Sequence, residues 1–565
     1  MNVNSEEWVE NPTRIAYFSM EIALKSEIPT YSGGLGILAG DTLRAFADLN
    51  IPATAFTLLD EQGYFKQTID EDGNQTENPD PWDPRKYCKK LDVKISLKLY
   101  DRTVNITAWQ YDITSEKGFT IPVILLDSNL PENNEYDKRL TSQLYGGDSE
   151  YRLCQEAILG IGGIKVLRAL HLQPTIYHMN EGHAALLAME LLEIYQKIRD
   201  DDTFEDELEH VKRKCVFTSH TPVAAGHDRF SYDLVKKVLG TGKHLELLER
   251  LGGKDELNMT LLGLNLSKYV NGVAKKHGEV SREMFPGYEI HAITNGVHSK
   301  TWTSDSFQNL FNEYISTWKG DPFMLRTALT LPNDKVWEAH VQAKKDLIDY
   351  VNLMSKTKFE YDTFTIGFAR RMTQYKQPTL LFKDLERLKK ISEKTRIQVI
   401  LSGKAHPHDF AGKDFIRELV EDTKKLTGSV NCIFISGYSM DIAKKITSGV
   451  DLWLNTPLKP QEASGTSGMK AAHNGVPNFS VLDGWWLEGH AEGITGWSIG
   501  DKTNDNDEQK DLNELYDKLE NKIIPMYYND KNSWINIMKN GIAYNAAYFN
   551  THRMAQQYAL NAYLL

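Results

Sequence analysis

The stretch R-I-A-Y-F-S-M-E-I (residues 14–22), followed by Y-S-G-G-L-G-I-L-A-G-D (residues 31–41), decides the fold of the first part of this chain. The first segment is apolar enough for a buried strand, and the second is a glycine-rich turn that opens a helix of small residues. Another apolar segment, I-P-A-T-A-F-T-L-L (residues 51–59), predicts a second strand. Together they predict a β–loop–α–β unit of a parallel sheet, with backbone N–H groups at the helix start that can hold an anion.

Alternation of strands and helices continues through the 565 residues. In the first part the pattern predicts turns at 70–84, a long helix from Glu150 to Leu170, and mostly helix between 223 and 287. It predicts strands within 92–100, 104–113, 121–127, 174–183, 214–222 and 288–298. A charged helix at 331–355 is expected to connect to a second series. That series has strands within 363–370, 395–403, 431–437, 450–456 and 476–481, with helices from about residue 511. Two α/β halves in series predict a cleft lined by polar loops at the carboxyl ends of strands.

Composition excludes several classes of protein. The hydrophobic content of 41% and charged content of 25% are those of an ordinary globular protein, and the length predicts two large domains. The net charge of −12 argues against nucleic acid or an anionic membrane as the main partner. The four cysteines form no C-x-x-C pair, no apolar run reaches the roughly 18 residues that span a bilayer, and the acidic N-terminus lacks a signal-peptide core. We therefore expect a cytoplasmic location.

Two polar segments contain the groups expected of a phosphate site. The segment E-A-S-G-T-S-G-M-K (462–470) is a glycine-broken loop whose N–H groups can cradle phosphate, and Lys470 can bind phosphate or form a Schiff base. The segment A-R-R-M-T-Q-Y-K (369–376) places three cations beside a strand end, and Lys404 follows the next strand. Taken alone, the first segment is equally consistent with a surface turn, and the second with a solvated helix face. Taken together, they predict an anion site in an otherwise acidic protein.

Other polar residues at strand ends fit a hydroxyl-rich ligand better than a metal. His183, His220 and His227 form no H-x-x-x-H or H-E-x-x-H pattern, so no metal site is predicted. The candidate hydrogen-bond partners for sugar hydroxyls, which are alternatively turn and cap residues, are Asn180, Glu181, Asn295 and Asn455. Trp485 and Trp486 are expected to pack near the cleft, with a carbohydrate platform as the alternative.

These segments together resemble the α-glucan phosphorylase family, whose members act on glycogen, starch or maltodextrin, and most closely its short prokaryotic branch. The segments that support the resemblance follow the family order over about the first 490 residues and are Y-S-G-G-L-G-I-L-A-G-D, H-M-N-E-G-H, S-H-T-P, I-T-N-G-V-H-S-K-T-W, A-R-R-M-T-Q-Y-K, S-G-K-A-H and E-A-S-G-T-S-G-M-K. The resemblance implies an α/β fold of the GT-B type, in which two Rossmann-like domains face each other across a cleft. It implies a glucan-binding domain at 1–340, a cofactor-binding domain at 341–525, and C-terminal helices at 526–565 that pack back on the first domain.

The resemblance also implies a cofactor and a reaction. Pyridoxal 5′-phosphate would be held as a Schiff base on Lys470, and inorganic phosphate would cleave an α-1,4-glucan to glucose 1-phosphate with retention. In this family the cofactor phosphate passes a proton to the substrate phosphate, which protonates the glycosidic oxygen and then captures the glucosyl group. No paired carboxylates are needed, unlike in a glycoside hydrolase. A homodimer is implied as well, and the short chain predicts no nucleotide- or phosphorylation-based control.

The resemblance also implies roles for individual residues. Those near the cofactor are Lys470, Thr466, Gly34, Arg370 and Tyr438. Those that grip the substrate phosphate are Arg371 and Lys376, and those that contact the glucosyl group are Glu462, Ser464, Gly465, Asn295, Tyr375 and, through its backbone carbonyl, His220. The expected catalytic set is Lys470, Arg371, Lys376 and His220. The sequence departs from larger members at Gly468, where they have asparagine, and at Met372-Thr373-Gln374, where they have a histidine and an acidic residue.

Two other functions stay open from the sequence. A nucleotide-sugar glycosyltransferase of the same fold, such as a glycogen or starch synthase, would share the two domains and the Arg/Lys pair but would not need Lys470. A non-catalytic glycan-binding relative is expected to have lost charged catalytic residues. Here Lys470, Arg371, Lys376 and Glu462 are all present, which favours an enzyme.

Overall fold

The computed structural model describes residues 14–196, 203–241, 243–355 and 358–564. Two sheets built mainly of parallel strands, connected by helices, organise these residues, which confirms the predicted α/β class. The acidic N-terminal segment, where the sequence shows no signal-peptide core, lies outside the described residues. In the part of the chain that the structure describes, no helix combines the length and the apolar character that crossing a membrane requires.

Strands and helices alternate along most of the chain. In chain order the strands are β1 (Ile15–Ser19), β2 (Ala53–Leu58), β3 (Lys66–Ile69), β4 (Gln75–Asn78), β5 (Lys89–Lys90), β6 (Ile95–Leu99), β7 (Arg102–Thr114), β8 (Thr120–Asp127), β9 (Ile176–Asn180), β10 (Cys215–Thr218), β11 (Arg229–Ser231), β12 (Glu256–Asn258), β13 (Tyr269–Gly272), β14 (His291–Ala292), β15 (Phe364–Ala369), β16 (Ile397–Ser402), β17 (Asn431–Ile435), β18 (Leu452–Asn455), β19 (Asn478–Val481) and β20 (Gly496–Ile499). The α-helices are α1 (Gly34–Asp48), α2 (Ser149–Ala157), α3 (Gly163–Ala169), α4 (Leu186–Gln196), α5 (Phe204–Lys212), α6 (Tyr232–Leu239), α7 (Lys243–Gly252), α8 (Met259–Asn265), α9 (Lys275–Met284), α10 (Ser299–Trp302), α11 (Asp305–Tyr314), α12 (Asn333–Met354), α13 (Leu385–Lys394), α14 (Phe410–Lys425), α15 (Met440–Gly449), α16 (Ser467–Ala472), α17 (Trp486–Gly489), α18 (Glu508–Lys518), α19 (Ile524–Asn529), α20 (Lys531–Asn540) and α21 (Thr551–Tyr558). A π-helical turn at Ile158–Gly162 joins α2 to α3, so the long helix predicted there is present.

The first sheet has the strand order β14-β13-β10-β9-β1-β2-β8-β7-β5, with β6 paired to β7. All neighbours from β14 to β8 run parallel, whereas β7 runs antiparallel to β8, β5 and β6. Every residue of β1 is buried at the centre of the sheet, which explains the apolar run from Ile15 to Phe18. The strand order reverses between β1 and β9, and in doubly wound sheets such a reversal opens a crevice for ligands at the carboxyl ends of the strands.

The second sheet has six parallel strands in the order β17-β16-β15-β18-β19-β20. Its order also reverses, here between β15 and β18. Ile366 in β15 lies opposite Val399 on one side and Leu452 on the other. Arg370 and Arg371 directly follow β15, so the topology places both guanidinium groups at the crevice of this sheet.

Helix α1 approaches the segment after β1 too closely for most side chains. A Cβ at Gly36 would lie 2.7 Å from Glu21 Oε2, and a Cβ at Gly40 would lie 2.1 Å from the carbonyl oxygen of Ala23. The two glycines are four residues apart and therefore share one helix face. The small residues of this segment thus allow the start of α1 to lie beside the end of β1.

The chain crosses between the two sheets twice, along neighbouring segments. The first crossing contains Val297 and the second contains Phe549 and Thr551. The N–H of Val297 donates to the carbonyl of Phe549 at 3.2 Å, and the N–H of Thr551 donates to the carbonyl of Val297 at 3.0 Å. Helix α20 packs in the core of the second sheet, whereas α21 packs on the first, where Tyr558 Oη lies 3.1 Å from Thr218 Oγ1.

Several short strands differ from the sequence prediction. The hairpin β3–β4 begins before and lies partly within the stretch expected to be turns, and its strands alternate between exposed and buried residues. The region expected to be mostly helical contains β11, β12 and β13, of which β13 belongs to the first sheet. The strand expected before residue 298 is reduced to β14, and β20 extends the second sheet. These strands have two to four residues, which is too short for a periodic pattern.

Candidate active site

A cavity of about 670 Å³ lies between the carboxyl ends of the two sheets. Loops after β1, β9 and β10 line it from the first sheet, and loops after β15, β17 and β18 line it from the second. Every residue to which the family resemblance gave a role lines this cavity, namely Gly34, His220, Asn295, Arg370, Arg371, Tyr375, Lys376, Tyr438, Glu462, Ser464, Gly465, Thr466 and Lys470. Two further candidates, Asn180 and Asn455, are buried and do not line it.

Lys470 lies in α16, directly after the glycine-broken loop. Its side chain is buried, and Nζ lies 3.6 Å from the centre of the Trp302 ring. Burial lowers the pKa of Lys470 to about 8. An amine with this pKa is partly neutral near physiological pH and can act as a nucleophile, unlike an ordinary surface lysine.

Close packing surrounds Gly468, two residues before this lysine. A Cβ at Gly468 would lie 2.3 Å from Asn478 Oδ1 and 2.8 Å from the ring of Trp485. Asn478 Nδ2 donates to the carbonyl of Gly468 at 3.0 Å. The amide of Asn478 therefore fills the space that a side chain at position 468 would need. Trp485 and Trp486 are both buried, which confirms their predicted packing role.

Glu462 lies between two cations. Its Oε2 accepts hydrogen bonds from Lys376 Nζ at 2.5 Å and from Arg370 Nη2. Burial alone would raise the pKa of Glu462, but Arg370 and Lys376 hold it at about 2. The carboxylate is therefore ionised throughout the neutral range. The other amino group of Arg370, Nη1, is buried and has no hydrogen-bond partner among the described residues.

Arg371 lies beside the glycine-rich loop and is exposed to the cavity. A Cβ at Gly33 would lie 2.9 Å from Arg371 Nη2, whereas a Cβ at Gly34 would meet no heavy atom within 4 Å. The first turn of α1 is thus open to the cavity next to a guanidinium group, and both features favour an anion. On the other side of the loop, the Glu21 carboxylate accepts from the N–H groups of Ser32 and Gly33.

The loop after β9 is held by its own carboxylate. Glu181 accepts hydrogen bonds from the N–H of His220 at 2.7 Å, from Thr221 Oγ1 at 3.0 Å and from the N–H of Gly182 at 3.1 Å. These bonds stabilise a φ of +78° at Glu181, which is strained for a residue other than glycine. Glu181 also lines the cavity, and its bonds with two backbone N–H groups and one hydroxyl match the turn-and-cap role that the sequence offered as the alternative to sugar binding. Burial lowers the pKa of His220 to about 4, and its Nε2 donates to Asn180 Oδ1 at 2.7 Å, so His220 is neutral.

Two more polar atoms at the cavity lack a partner in the described ranges. They are Ser464 Oγ and Asn295 Oδ1, and each side chain belongs to a residue that is 4% exposed. Buried polar groups are rarely left unpaired in folded proteins. Together with Arg370 Nη1 they provide a hydroxyl, an acceptor and a charged donor around one cavity. This set fits a ligand that has both hydroxyl and phosphate groups.

Sequence reasoning gave no site role to several residues of the cavity wall, including Trp302, Arg152 and Tyr145. Trp302 lies in α10 and ends the segment I-T-N-G-V-H-S-K-T-W, so this family segment was the signal that could have identified it. Arg152 lies 4.2 Å from the ring centre of Tyr145, whose Oη donates to Glu21 Oε1 at 3.1 Å. These two residues come from the start of α2 and the turn before it, so no strand end marks them. Within the described residues, no group of three or more His, Cys, Asp and Glu side chains is arranged to hold a metal.

Comparison with known proteins identifies the family to which the chain belongs. The model of the carbohydrate phosphorylase family matches residues 23–138 and 243–493. The chain belongs to this family. Maltodextrin phosphorylase of Thermococcus litoralis is 39% identical to this carbohydrate phosphorylase, over 99% of this chain and 71% of that protein. Glycogen phosphorylase of Aquifex aeolicus is 34% identical over 96% of this chain and 85% of that protein, and an uncharacterized protein of Methanocaldococcus jannaschii is 33% identical over 97% and 99%.

The family match includes nearly all of the expected site residues. Gly34 lies in the first matched segment, and the residues from Asn295 to Lys470 lie in the second. His220 lies between the two segments. The resemblance inferred from short motifs is therefore confirmed at the level of the family.

Proposed function

We propose that this carbohydrate phosphorylase cleaves α-1,4-glucan with inorganic phosphate and releases glucose 1-phosphate with retention of configuration. The main support is the cavity that Lys470, Arg370, Arg371, Lys376 and Glu462 all line. Its basic side chains, two of which contact Glu462, suit two phosphate groups and a sugar better than a sugar alone. The names of two relatives, maltodextrin phosphorylase and glycogen phosphorylase, support the same reaction.

The cavity also fits pyridoxal 5′-phosphate. Lys470 would hold the cofactor through its carbonyl carbon, because this amine is buried and partly neutral near physiological pH. Arg370, whose Nη1 has no partner in the described part of the chain, would bind the cofactor phosphate with Thr466 and the open backbone at Gly34. Tyr438 would lie beside the ring. The chemistry that the cofactor supplies when bound is a phosphate group able to exchange a proton with the substrate phosphate.

The basic side chains would hold together charges that repel each other. Two unit negative charges 4 Å apart repel by about 4 kcal/mol at an effective dielectric constant of 20. Arg371, open to the cavity beside α1, and Lys376 would bind the substrate phosphate. Their positive charges offset this repulsion and fix the phosphate where it can give a proton to the glycosidic oxygen.

Glu462 and its neighbours would bind the glucosyl group. The proposed sugar contacts are Glu462, Ser464, Gly465, Asn295, Tyr375 and the backbone carbonyl of His220. Because Glu462 is ionised at neutral pH, it can accept hydrogen bonds from sugar hydroxyls and stabilise the positive charge that develops on the glucosyl group. Ser464 Oγ and Asn295 Oδ1, unpaired within the described residues, are available to the same ligand. A neutral His220 adds no charge beside the sugar.

The two reversals in strand order support a GT-B arrangement of two Rossmann-like domains. The proposed domains are residues 1–340 and 341–525, followed by C-terminal helices at 526–565, of which α21 packs on the first sheet. The four cysteines are all free, which supports a reducing compartment and hence the cytoplasm as the location.

Two measurements test the proposed function. With maltodextrin and inorganic phosphate, the purified protein should form glucose 1-phosphate, and none should form when phosphate is omitted. Borohydride reduction of cofactor-loaded protein, followed by peptide mapping, should place a pyridoxyl group on Lys470. Folded protein without that modification would refute the cofactor assignment. Glucan elongation from a nucleotide sugar, with no glucose 1-phosphate formed, would refute phosphorolysis and favour a synthase.

A further inference from the structure

The hairpin β3–β4 connects the first part of the chain to the second sheet through two glutamines. Gln67 and Gln75 are 3% and 9% exposed. Gln67 Nε2 donates to the carbonyl of Gly403 at 2.8 Å, and its Oε1 accepts from the N–H of Gly437 at 2.8 Å. Gln75 Nε2 donates to the carbonyl of Ala405 at 2.9 Å, and its Oε1 accepts from the N–H of the same residue at 3.0 Å. Each side-chain amide therefore pairs with backbone groups as a neighbouring strand would.

The two glutamines also bind each other, and we call this pair the glutamine clasp. Gln67 Nε2 donates its second hydrogen to Gln75 Oε1 at 2.8 Å, and Gln75 Nε2 donates its second hydrogen to Glu77 Oε1. Glu77 in turn forms an ion pair with Lys413 of α14 at 2.9 Å. Both amides have all their N–H groups in use. A buried network in which every donor is satisfied favours one arrangement of the groups it joins.

The backbone that the clasp holds is bonded to the loop containing the basic residues of the cavity. A Cβ at Gly403 would lie 1.9 Å from the carbonyl oxygen of Arg370, so the two backbones are in direct contact. The N–H of Met372 donates to the carbonyl of Lys404 at 3.0 Å. The second glycine held by the clasp directly precedes Tyr438, which lines the cavity. The loops that the clasp holds are thus the loops that frame the basic side chains.

We propose that Gln67 and Gln75 are positioning residues for the phosphate-binding part of the cavity. They fix the loops after β16 and β17, and through those loops they fix the guanidinium groups of Arg370 and Arg371. Gln67 also lines the cavity, but all the N–H groups of both amides bind protein partners, so we assign their effect to the backbone they hold and not to contact with a ligand. The inference rests on the proposed function only in taking inorganic phosphate as the ligand of this part of the cavity.

Removal of one amide, with a matched control, tests the clasp. Gln67→Met keeps the length of the side chain and removes its hydrogen bonds. The control is Gln398→Met, because Gln398 is also buried and also pairs with backbone. Its amide accepts from the N–H of Glu360 at 3.1 Å and donates to the carbonyl of Glu360 at 2.8 Å, so both partners lie within the second half of the chain. We expect both variants to lose thermal stability. We expect only Gln67→Met to raise the KM for inorganic phosphate, by fivefold or more, while the KM for glucan stays within twofold of wild type.

A second readout does not depend on turnover. Equilibrium binding of inorganic phosphate should weaken fivefold or more in Gln67→Met and in Gln75→Met, and hydrogen exchange should become faster in peptides covering residues 403–405 and 437–438. The double variant should lose less affinity than the sum of the two single losses, because the amides bind each other. Unchanged phosphate affinity in Gln67→Met, or an equal loss in Gln398→Met, would overturn the inference. Failure of the wild type to form glucose 1-phosphate would refute the proposed reaction and leave the phosphate-binding result intact.

Discussion

Replacement of Glu462 by glutamine tests what the negative charge of this buried side chain contributes to stability and activity. Glu462→Gln keeps the shape of the side chain but removes the carboxylate that Arg370 and Lys376 contact. The lowering of its pKa from 4.5 to about 2 corresponds to roughly 3 kcal/mol of stabilisation. Since the folded-state pKa is the lower one, this stabilisation is complete above about pH 4.5 and is lost only as the pH falls through 2. We therefore expect a loss of up to about 3 kcal/mol in the variant that stays constant between pH 6 and pH 8.

The response to added inorganic phosphate distinguishes a loss of stability at the cavity from a loss elsewhere in the protein. In Glu462→Gln, two buried cations face each other without an anion, so phosphate should raise the unfolding temperature more than it does in wild type. Asp451→Asn is the matched control, because Asp451 is buried and accepts from Lys344 Nζ at 2.6 Å, outside the cavity. It should lose stability without recovery by phosphate. We also expect kcat for phosphorolysis to fall about 100-fold in Glu462→Gln. A variant as stable as wild type, or equal stabilisation of both variants by phosphate, would refute the reasoning.

Three further predictions concern single positions in or beside the cavity. Arg371→Ala should lower kcat/KM about 100-fold while the cofactor stays bound; the phosphorolysis rate measures the first effect and cofactor absorbance the second. Loss of the cofactor absorbance would contradict the assignment of Arg371 to the substrate phosphate. In cofactor-free protein, labelling of Lys470 by an amine-reactive reagent should rise with pH and level off above a midpoint of about 8, and mass spectrometry of its peptide measures this. A midpoint near 10.5, the ordinary lysine value, would exclude the buried, desolvated amine. Gly468→Ala should lower the unfolding temperature because its Cβ would lie 2.3 Å from Asn478 Oδ1, and Asn478→Ser should restore part of the loss. No effect of Gly468→Ala would show that the site has room.

The parallel strands and the site residues were predictable for physical reasons. A central parallel strand is buried on both faces, and β15 and β16, which are buried at every residue, are accordingly mostly apolar in the sequence. Polar loops that follow such strands meet at one edge of the sheet. Gly34 follows β1 in the first sheet and Arg371 follows β15 in the second, so the predicted cleft between two α/β halves is the reason to expect both at one cavity.

The contacts between distant segments were not predictable. The glutamine clasp joins side chains of a short hairpin to backbone of the second sheet, and an amide that pairs with backbone leaves no pattern in the sequence. The position of Trp302 over Lys470 depends on how the two sheets meet. Likewise, only the structure reveals that Asn478 fills the space beside Gly468.

The two neighbouring crossings between the sheets also support one wall of the cavity. Two segments that run side by side, bonded through Val297 to Phe549 and Thr551, form a narrow strip. Because backbone hydrogen bonds join the two segments, neither can shift along the other without breaking them. Asn295 lies two residues from Val297 on this strip and also lines the cavity. The wall of the cavity at Asn295 is therefore held by the same backbone bonds that join the two crossings.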